Sequence, residues 1–197
     1  MTWDDLERRC DTCTGCELHK TKTHTVFGTG NREASLMFVG EAPGETEDET
    51  GVPFVGRAGK LFDKYLEAVD IPRESVYIAN ILKCRPPKNR DPLPEEEDAC
   101  LGFLRDQVRL IRPRLIVCLG RIAAMRLLKP DFKITKEHGI WVKKGAFEIC
   151  AVYHPSLLLR DPRRREEMLT DMKAVKAKWD EAEREAGRGT APEGENA

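Results

Sequence analysis

The strongest constraint on the fold is a rhythm of short apolar runs, each closed by a turn and followed by a stretch with helical spacing. "SLMFVG" (residues 35–40), "SVYIANIL" (75–82), "RLIVCLG" (114–120) and "AFEICAVYHP" (146–155) are four such runs. They are close to continuously apolar rather than alternating, which predicts strands covered on both faces. Between and after them, residues 56–69, 92–113, 121–128 and 164–185 have helical patterning bounded by proline, acid or glycine. Strands alternating with helices predict an α/β layer fold with a mainly parallel, four-stranded sheet. A short helix is expected over residues 3–9 and a hairpin within 134–145. One domain is expected over residues 1–185, with a disordered tail over 186–197, which has no apolar face.

In such a sheet the ligand crevice lies beyond the carboxyl ends of the strands. Four places qualify: "GEAPG" after the first run, "ANILKC" after the second, "GR" after the third and "YHPS" after the fourth. The loop after the first run, "GEAPGETEDETGVPFVGRAGK", lacks the G-x-x-x-x-G-K-[ST] pattern and carries too many carboxylates for a phosphate cradle. Its glycines suit close approach of backbone N–H groups to a planar ligand, although a demanding turn uses the same residues. Phe54 is either a core aromatic or a stacking platform for an unstacked base. Asn80 sits in an apolar run, where its amide needs partners; it matches the N3–H and O4 edge of a pyrimidine or caps a loop. His154 opens "HPSLLLRDP", a loop in which leucines beside arginines suit a wedge inserted into a base stack.

Charge narrows the partners less than its placement does. Net charge is −1, acid gathers in "GETEDET" and "PEEED", and base gathers in "KCRPPKNR" and "LLLRDPRRR". Each run alone reads as a solvated face. No apolar run approaches the roughly 20 residues that span a bilayer, and the N-terminus has no export pattern. A cytoplasmic protein, nucleoid-associated in a prokaryote, with no membrane partner is expected.

The chain has seven cysteines. Three stand at equal steps in "CDTCTGC" (residues 10–16), so two overlapping C-x-x-C pairs exist. A redox pair, a zinc site and half of a cluster site all fit that spacing. Cys118 and Cys150 lie inside apolar runs and are expected to be inert core thiols.

"GEAPG", "PFVG-AG", "NILKCRPPKNRDP" and "HPSLLLRDP", in this order with these cysteines, resemble a family 4 uracil-DNA glycosylase over about residues 10–175. The resemblance implies a three-layer α/β/α fold and a monomeric, monofunctional repair enzyme. Such an enzyme flips uracil from single- or double-stranded DNA and hydrolyses its N-glycosidic bond. It implies a catalytic set of Glu41 and His154, with Glu47 as the second choice of carboxylate. Ala42, Gly44, Phe54 and Asn80 would hold the base. Leu158, or alternatively Leu157, would be the wedge, and Arg160, Arg163 and Lys83 would meet phosphates. It also implies a structural [4Fe–4S] cluster on Cys13, Cys16, Cys84 and Cys100, with Cys10 spare and no catalytic metal. A sliding clamp is a further candidate partner.

Rival readings are a non-catalytic cluster- or zinc-bearing DNA-binding module, and a relative that becomes trapped covalently through a histidine-bearing loop. "KCRPPKNRDPLPEEE" carries no histidine, which favours turnover. A zinc base deaminase is excluded by the lack of H-x-E followed by P-C-x-x-C.

Overall fold

The computed structural model describes residues 1–187; residues 188–197, most of the expected tail, lie outside the described residues. The elements in chain order are α1 (Trp3–Asp11), β1 (Thr29–Gly30), β2 (Leu36–Gly40), α2 (Glu45–Thr50), α3 (Arg57–Ala68), β3 (Tyr77–Asn80), α4 (Pro94–Ile111), β4 (Leu115–Leu119), α5 (Arg121–Leu127), α6 (Ile134–Glu137), β5 (Val142–Lys144), β6 (Phe147–Val152), α7 (Pro155–Arg160) and α8 (Arg165–Glu185). The sheet order is β1-β3-β2-β4-β6-β5. The expected four strands form its parallel centre, β3-β2-β4-β6. Two short antiparallel edges are added, β1 on β3 and β5 on β6. The hairpin expected within residues 134–145 does not form: the first part of that stretch is the helix α6, and only its end, β5, is a strand, paired with β6 beyond it.

The period-two geometry of strands explains the three layers. Leu36 and Phe38 of β2, Val117 of β4 and Val152 of β6 face a core that includes Phe62 and Leu66 of α3, Leu158 of α7 and Met168 and Met172 of α8. Met37, Val39, Cys118 and Ala151 face the opposite core, with Leu6 and Cys10 of α1, Leu101 and Leu104 of α4 and Ala123 of α5. Each central strand is thus buried on both sides, as its unbroken apolar run requires. Cys118 and Cys150 are 0% exposed on opposite faces, and burial raises both thiols well above their ordinary value. Among the described residues no helix is long and apolar enough to cross a membrane.

Candidate active site

The carboxyl ends of the parallel strands converge on one cavity of about 230 Å³. Its lining includes Glu41, Ala42, Pro43 and Gly44 after β2, Asn80 at the end of β3, and His154 and Ser156 after β6. That volume is below the ~300–1,000 Å³ of pockets for drug-sized ligands, so it suits one small ring. Gly40 pairs in register with Asn80. A methyl group at Gly40 would collide with Asn80 Oδ1 and the Phe54 ring, so glycine here keeps the floor of the cavity open. Gly120 does the same for His154: its φ of +91° is left-handed, and a Cβ there would stand 2.7 Å from His154 Cβ.

Asn80 is 1% exposed, and its Oδ1 is the one buried side-chain polar atom among the described residues with no hydrogen-bond partner. A buried acceptor left open costs about 1–3 kcal/mol. It therefore marks a place where a ligand donor belongs.

Phe54 has φ 55°, a left-handed conformation that costs a non-glycine residue on the order of 1–3 kcal/mol. Two clamps hold it. Glu47 Oε1 accepts the N–H groups of Val55 at 2.9 Å and Gly56 at 2.7 Å. Arg73 Nη2 donates to the carbonyls of Pro53 at 2.8 Å and Phe54 at 3.1 Å. The ring is thereby set 5.8 Å from the His154 ring at the cavity wall.

His154 caps α7. The backbone N–H of Ser156 donates to its Nδ1 at 3.1 Å, and Ser156 Oγ stands 2.8 Å from the same atom. An N–H can only donate, so Nδ1 is the acceptor and the ring proton sits on Nε2. Burial, with the nearby Arg160 charge, lowers the imidazole pKa to about 4 and keeps it neutral near pH 7. Glu41 is pushed the other way, to about 7, by burial first and then by Asp91; Arg121 and Arg160 partly oppose the rise. Ala42 and Gly44 line the cavity beside Glu41 as expected.

Two expectations about the DNA-facing residues are corrected. Leu158 is 0% exposed and packs into the core with Phe62 and Met172, so it is not available as a wedge. The segment that sequence reads as a loop is the helix α7, which turns Leu158 inward and leaves Leu157 half-buried. Lys83 is 1% exposed and not on the surface; its Nζ donates to Asn80 O at 3.0 Å and Gln107 Oε1 at 2.8 Å. Burial lowers its pKa to about 8. Arg160 and Arg163 are exposed as expected, Arg163 paired with Asp161 at 2.8 Å.

Sequence reasoning missed the wall made by Pro86, Asn89 and Arg90. Arg85 ties this loop down by donating to Asn89 Oδ1 at 2.8 Å and Glu45 at 3.2 Å. Arg90 is fixed by a two-pronged pair with Glu96 at 2.8 and 2.6 Å. Ser156, which sets the His154 tautomer, was also missed. Its only signal was its place in "HPS".

A second convergence lies between α1 and α4. Cys10, Cys13, Cys16, Cys84 and Cys100 line one small cavity, with His19 and Lys83 beside them. Cys13, Cys16, Cys84 and Cys100, the four that the resemblance names, all line this cavity. Two sulfurs accept backbone N–H groups, Cys13 from Gly15 at 3.4 Å and Cys100 from Lys83 at 3.3 Å. Among the described residues no three His, Cys, Asp or Glu side chains stand at the spacing of a single-ion site.

A three-layer α/β sandwich with a ring-sized pocket at its carboxyl edge, walled by an aromatic, an amide, a neutral histidine and a carboxylate, has the architecture of a protein that isolates one base. The sequence profile of the uracil DNA glycosylase superfamily matches residues 27–179, and the chain belongs to that superfamily. Among curated relatives it is 46% identical to the type-4 uracil-DNA glycosylase of Archaeoglobus fulgidus, over 87% of this chain and 90% of that protein. The type-4 enzyme of Thermotoga maritima is also 46% identical, over 79% of this chain and 82% of the relative. The type-5 uracil-DNA glycosylase of Pyrobaculum aerophilum is 34% identical, over 79% and 83%.

Proposed function

We propose that this chain removes uracil from DNA, taking the flipped base into the cavity at the carboxyl edge and hydrolysing its N-glycosidic bond to leave an abasic site. The superfamily and the type-4 relatives support the activity and DNA as its substrate. The observation that carries the residue assignment is the unpartnered Asn80 Oδ1. Uracil offers N3–H to that oxygen and O4 to the amide N–H₂. Cytosine presents the reverse pattern and leaves both amide groups unpaired, a large penalty in a buried site.

The base must leave the stack to expose its glycosidic carbon. Phe54, locked by Glu47 and Arg73, gives the ring a stacking face. As the C1′–N1 bond breaks, its electron pair moves onto the uracil and negative charge grows on O2. His154 is suited to meet it, because its neutral ring carries its one proton on Nε2 and presents that N–H as a donor. The sugar becomes cationic, and Glu41 as a carboxylate stabilises it and orients the water; the water oxygen bonds to C1′, and its released proton ends on the departing uracil anion. Glu47 is the weaker candidate for that task, since its Oε1 already holds two backbone N–H groups. Arg160, exposed at the end of α7 and close to both Glu41 and His154, is placed for a phosphate beside the flipped nucleotide. Arg163 is a second phosphate contact, and Leu157 takes the wedge role.

Cys13, Cys16, Cys84 and Cys100 are assigned as ligands of a [4Fe–4S] cluster. An all-thiol set receiving N–H···S bonds fits such a group. When bound, it supplies a covalent staple between the N-terminal segment and the segment from Cys84 to Cys100. Hydrolysis moves no electrons to or from such a staple, so its role is structural.

The test uses labelled single- and double-stranded oligonucleotides containing uracil, followed by alkaline cleavage of abasic sites. Wild type cleaves at uracil, while Asn80→Ala and His154→Ala do not. Uncleaved DNA with wild type overturns the enzymatic reading. Iron and sulfide content separates a cluster from zinc.

A further inference from the structure

An open groove of about 370 Å³ lies between α4 and α5, on the sheet face that also carries α1. Its floor is apolar: Val39, Ile116 and Ile149 of the sheet and Leu104 of α4 line it, and none is more than 2% exposed. Val108, Leu127 and Phe147 form half-buried walls. The rim is Arg105 and Arg109 of α4 and Arg126 of α5, and among the described residues that line the groove none is acidic. Arg109 pairs with Asp106 at 2.9 Å, and Arg126 with Asp98 and, at 3.9 Å, with Glu97, whereas Arg105 enters no ion pair among the described residues. Surface pairs of this kind are worth about 0–1 kcal/mol, so an incoming carboxylate can take their place. The groove shares no lining residue with the base cavity or the thiol cavity.

We propose that this groove docks a short acidic peptide of a partner protein, with an apolar side chain on its floor and carboxylates on its arginine rim. The occupant follows from the two halves of the lining. A small anion or a phosphate backbone would meet the arginines and leave the apolar floor in water. A wholly apolar segment would cover the floor and leave three guanidinium groups unmatched. A peptide that alternates acid with a large apolar anchor satisfies both, through forked arginine–carboxylate bonds above a hydrophobic contact. From Leu101 to Arg109 the helix rises about 12 Å at ~1.5 Å per residue, the length of about four extended residues. The segment of this chain beyond Gly187 holds no apolar residue larger than proline, so it does not supply the anchor.

The experiment pans a phage-displayed library of random peptides on the purified full chain. Enriched sequences should combine several Asp or Glu residues with an aromatic or branched aliphatic residue. A fluorescein-labelled representative, followed by anisotropy, should bind Arg105→Glu and Val108→Glu about tenfold or more weakly than wild type, and changing its anchor to Ser should cost as much. Both protein variants should keep the wild-type thermal midpoint and uracil excision; should Val108→Glu fail to fold, Arg105→Glu at its exposed position carries the comparison. No enrichment, enrichment of basic or anchorless sequences, or equal binding to Arg105→Glu overturns the proposal. Self-association of wild type that Val108→Glu abolishes overturns it in favour of a second copy. A uracil-free oligonucleotide whose binding falls tenfold in both variants overturns it in favour of nucleic acid.

Discussion

The two cavities of this chain are built in opposite ways. The base pocket is complete in the protein alone: its glycines leave the floor open, Phe54 is held in a costly conformation, and the His154 tautomer is fixed by Ser156. Its one open buried acceptor among the described residues is Asn80 Oδ1, which the proposed substrate would meet with N3–H. The thiol cavity gathers five cysteines, yet among the described residues no three ligand side chains stand at single-ion spacing; the cluster proposed above would be what joins them. Preorganisation thus belongs to the base pocket, and under the proposed cluster assignment dependence on a cofactor belongs to the thiol cavity. Substitutions in the first should remove activity while sparing the fold, and those in the second should do the reverse in order of onset.

The largest effect is expected at the base pocket. Asn80→Ala and His154→Ala should each lower single-turnover excision by about 10²–10⁴-fold, as loss of buried recognition or of oxyanion stabilisation does. Iron content and thermal midpoint should stay near wild type; a fall in either would break the separation between the cavities. Next comes Cys13→Ala, which should lose the cluster and lower the thermal midpoint before excision is measured at all. An apo protein with full stability and activity would remove the structural role.

Leu158→Ala should cost about 2–5 kcal/mol in denaturant unfolding, the range for truncating a buried leucine. Leu157→Ala should leave stability nearly unchanged and weaken excision from duplex more than from single strands. The opposite pairing of outcomes would return Leu158 to the wedge role.

The pH profile follows from Glu41. Its carboxyl titrates at about 7; in the proposed role it works as a carboxylate, so excision should fall by about tenfold per pH unit below that value and level above it. His154 protonates only near 4 and does not contribute to this limb. Stability has the other sign. The folded state holds the Glu41 proton more tightly than the unfolded chain, so this group's contribution falls as pH rises from about 4.5 to about 7. Glu41→Gln should flatten the activity limb at a low rate and stabilise the protein above pH 7. The smallest effect is Arg160→Ala, which should reduce the salt slope of DNA binding by about 1 with little change in the single-turnover rate.

Much of this was legible in the sequence because the signals were strong and local. Four apolar runs predict the parallel centre of the sheet, and the residues ending them, Glu41, Asn80 and His154, are the ones the structure brings to one cavity. What escaped depended on tertiary direction. In "LLL" nothing says which leucine faces the core until α7 forms. Lys83 stands in a basic run but is turned inward by the path from β3 to α4, where Gln107 and the Asn80 carbonyl receive its protons. The acidic run 45–50 read as a solvated loop, yet it is the helix α2, which presents Glu47 to the Phe54 turn. The edge strands β1 and β5 are too short and exposed to leave an apolar run.

The stretch from Asn80 to Cys84 belongs to both cavities. Asn80 lines the base pocket, Cys84 lines the thiol cavity, and between them Lys83 Nζ donates to the Asn80 carbonyl at 3.0 Å. Under the roles proposed above, base choice and the thiol site share one short run of backbone, so a change at Lys83 is expected to be felt at both.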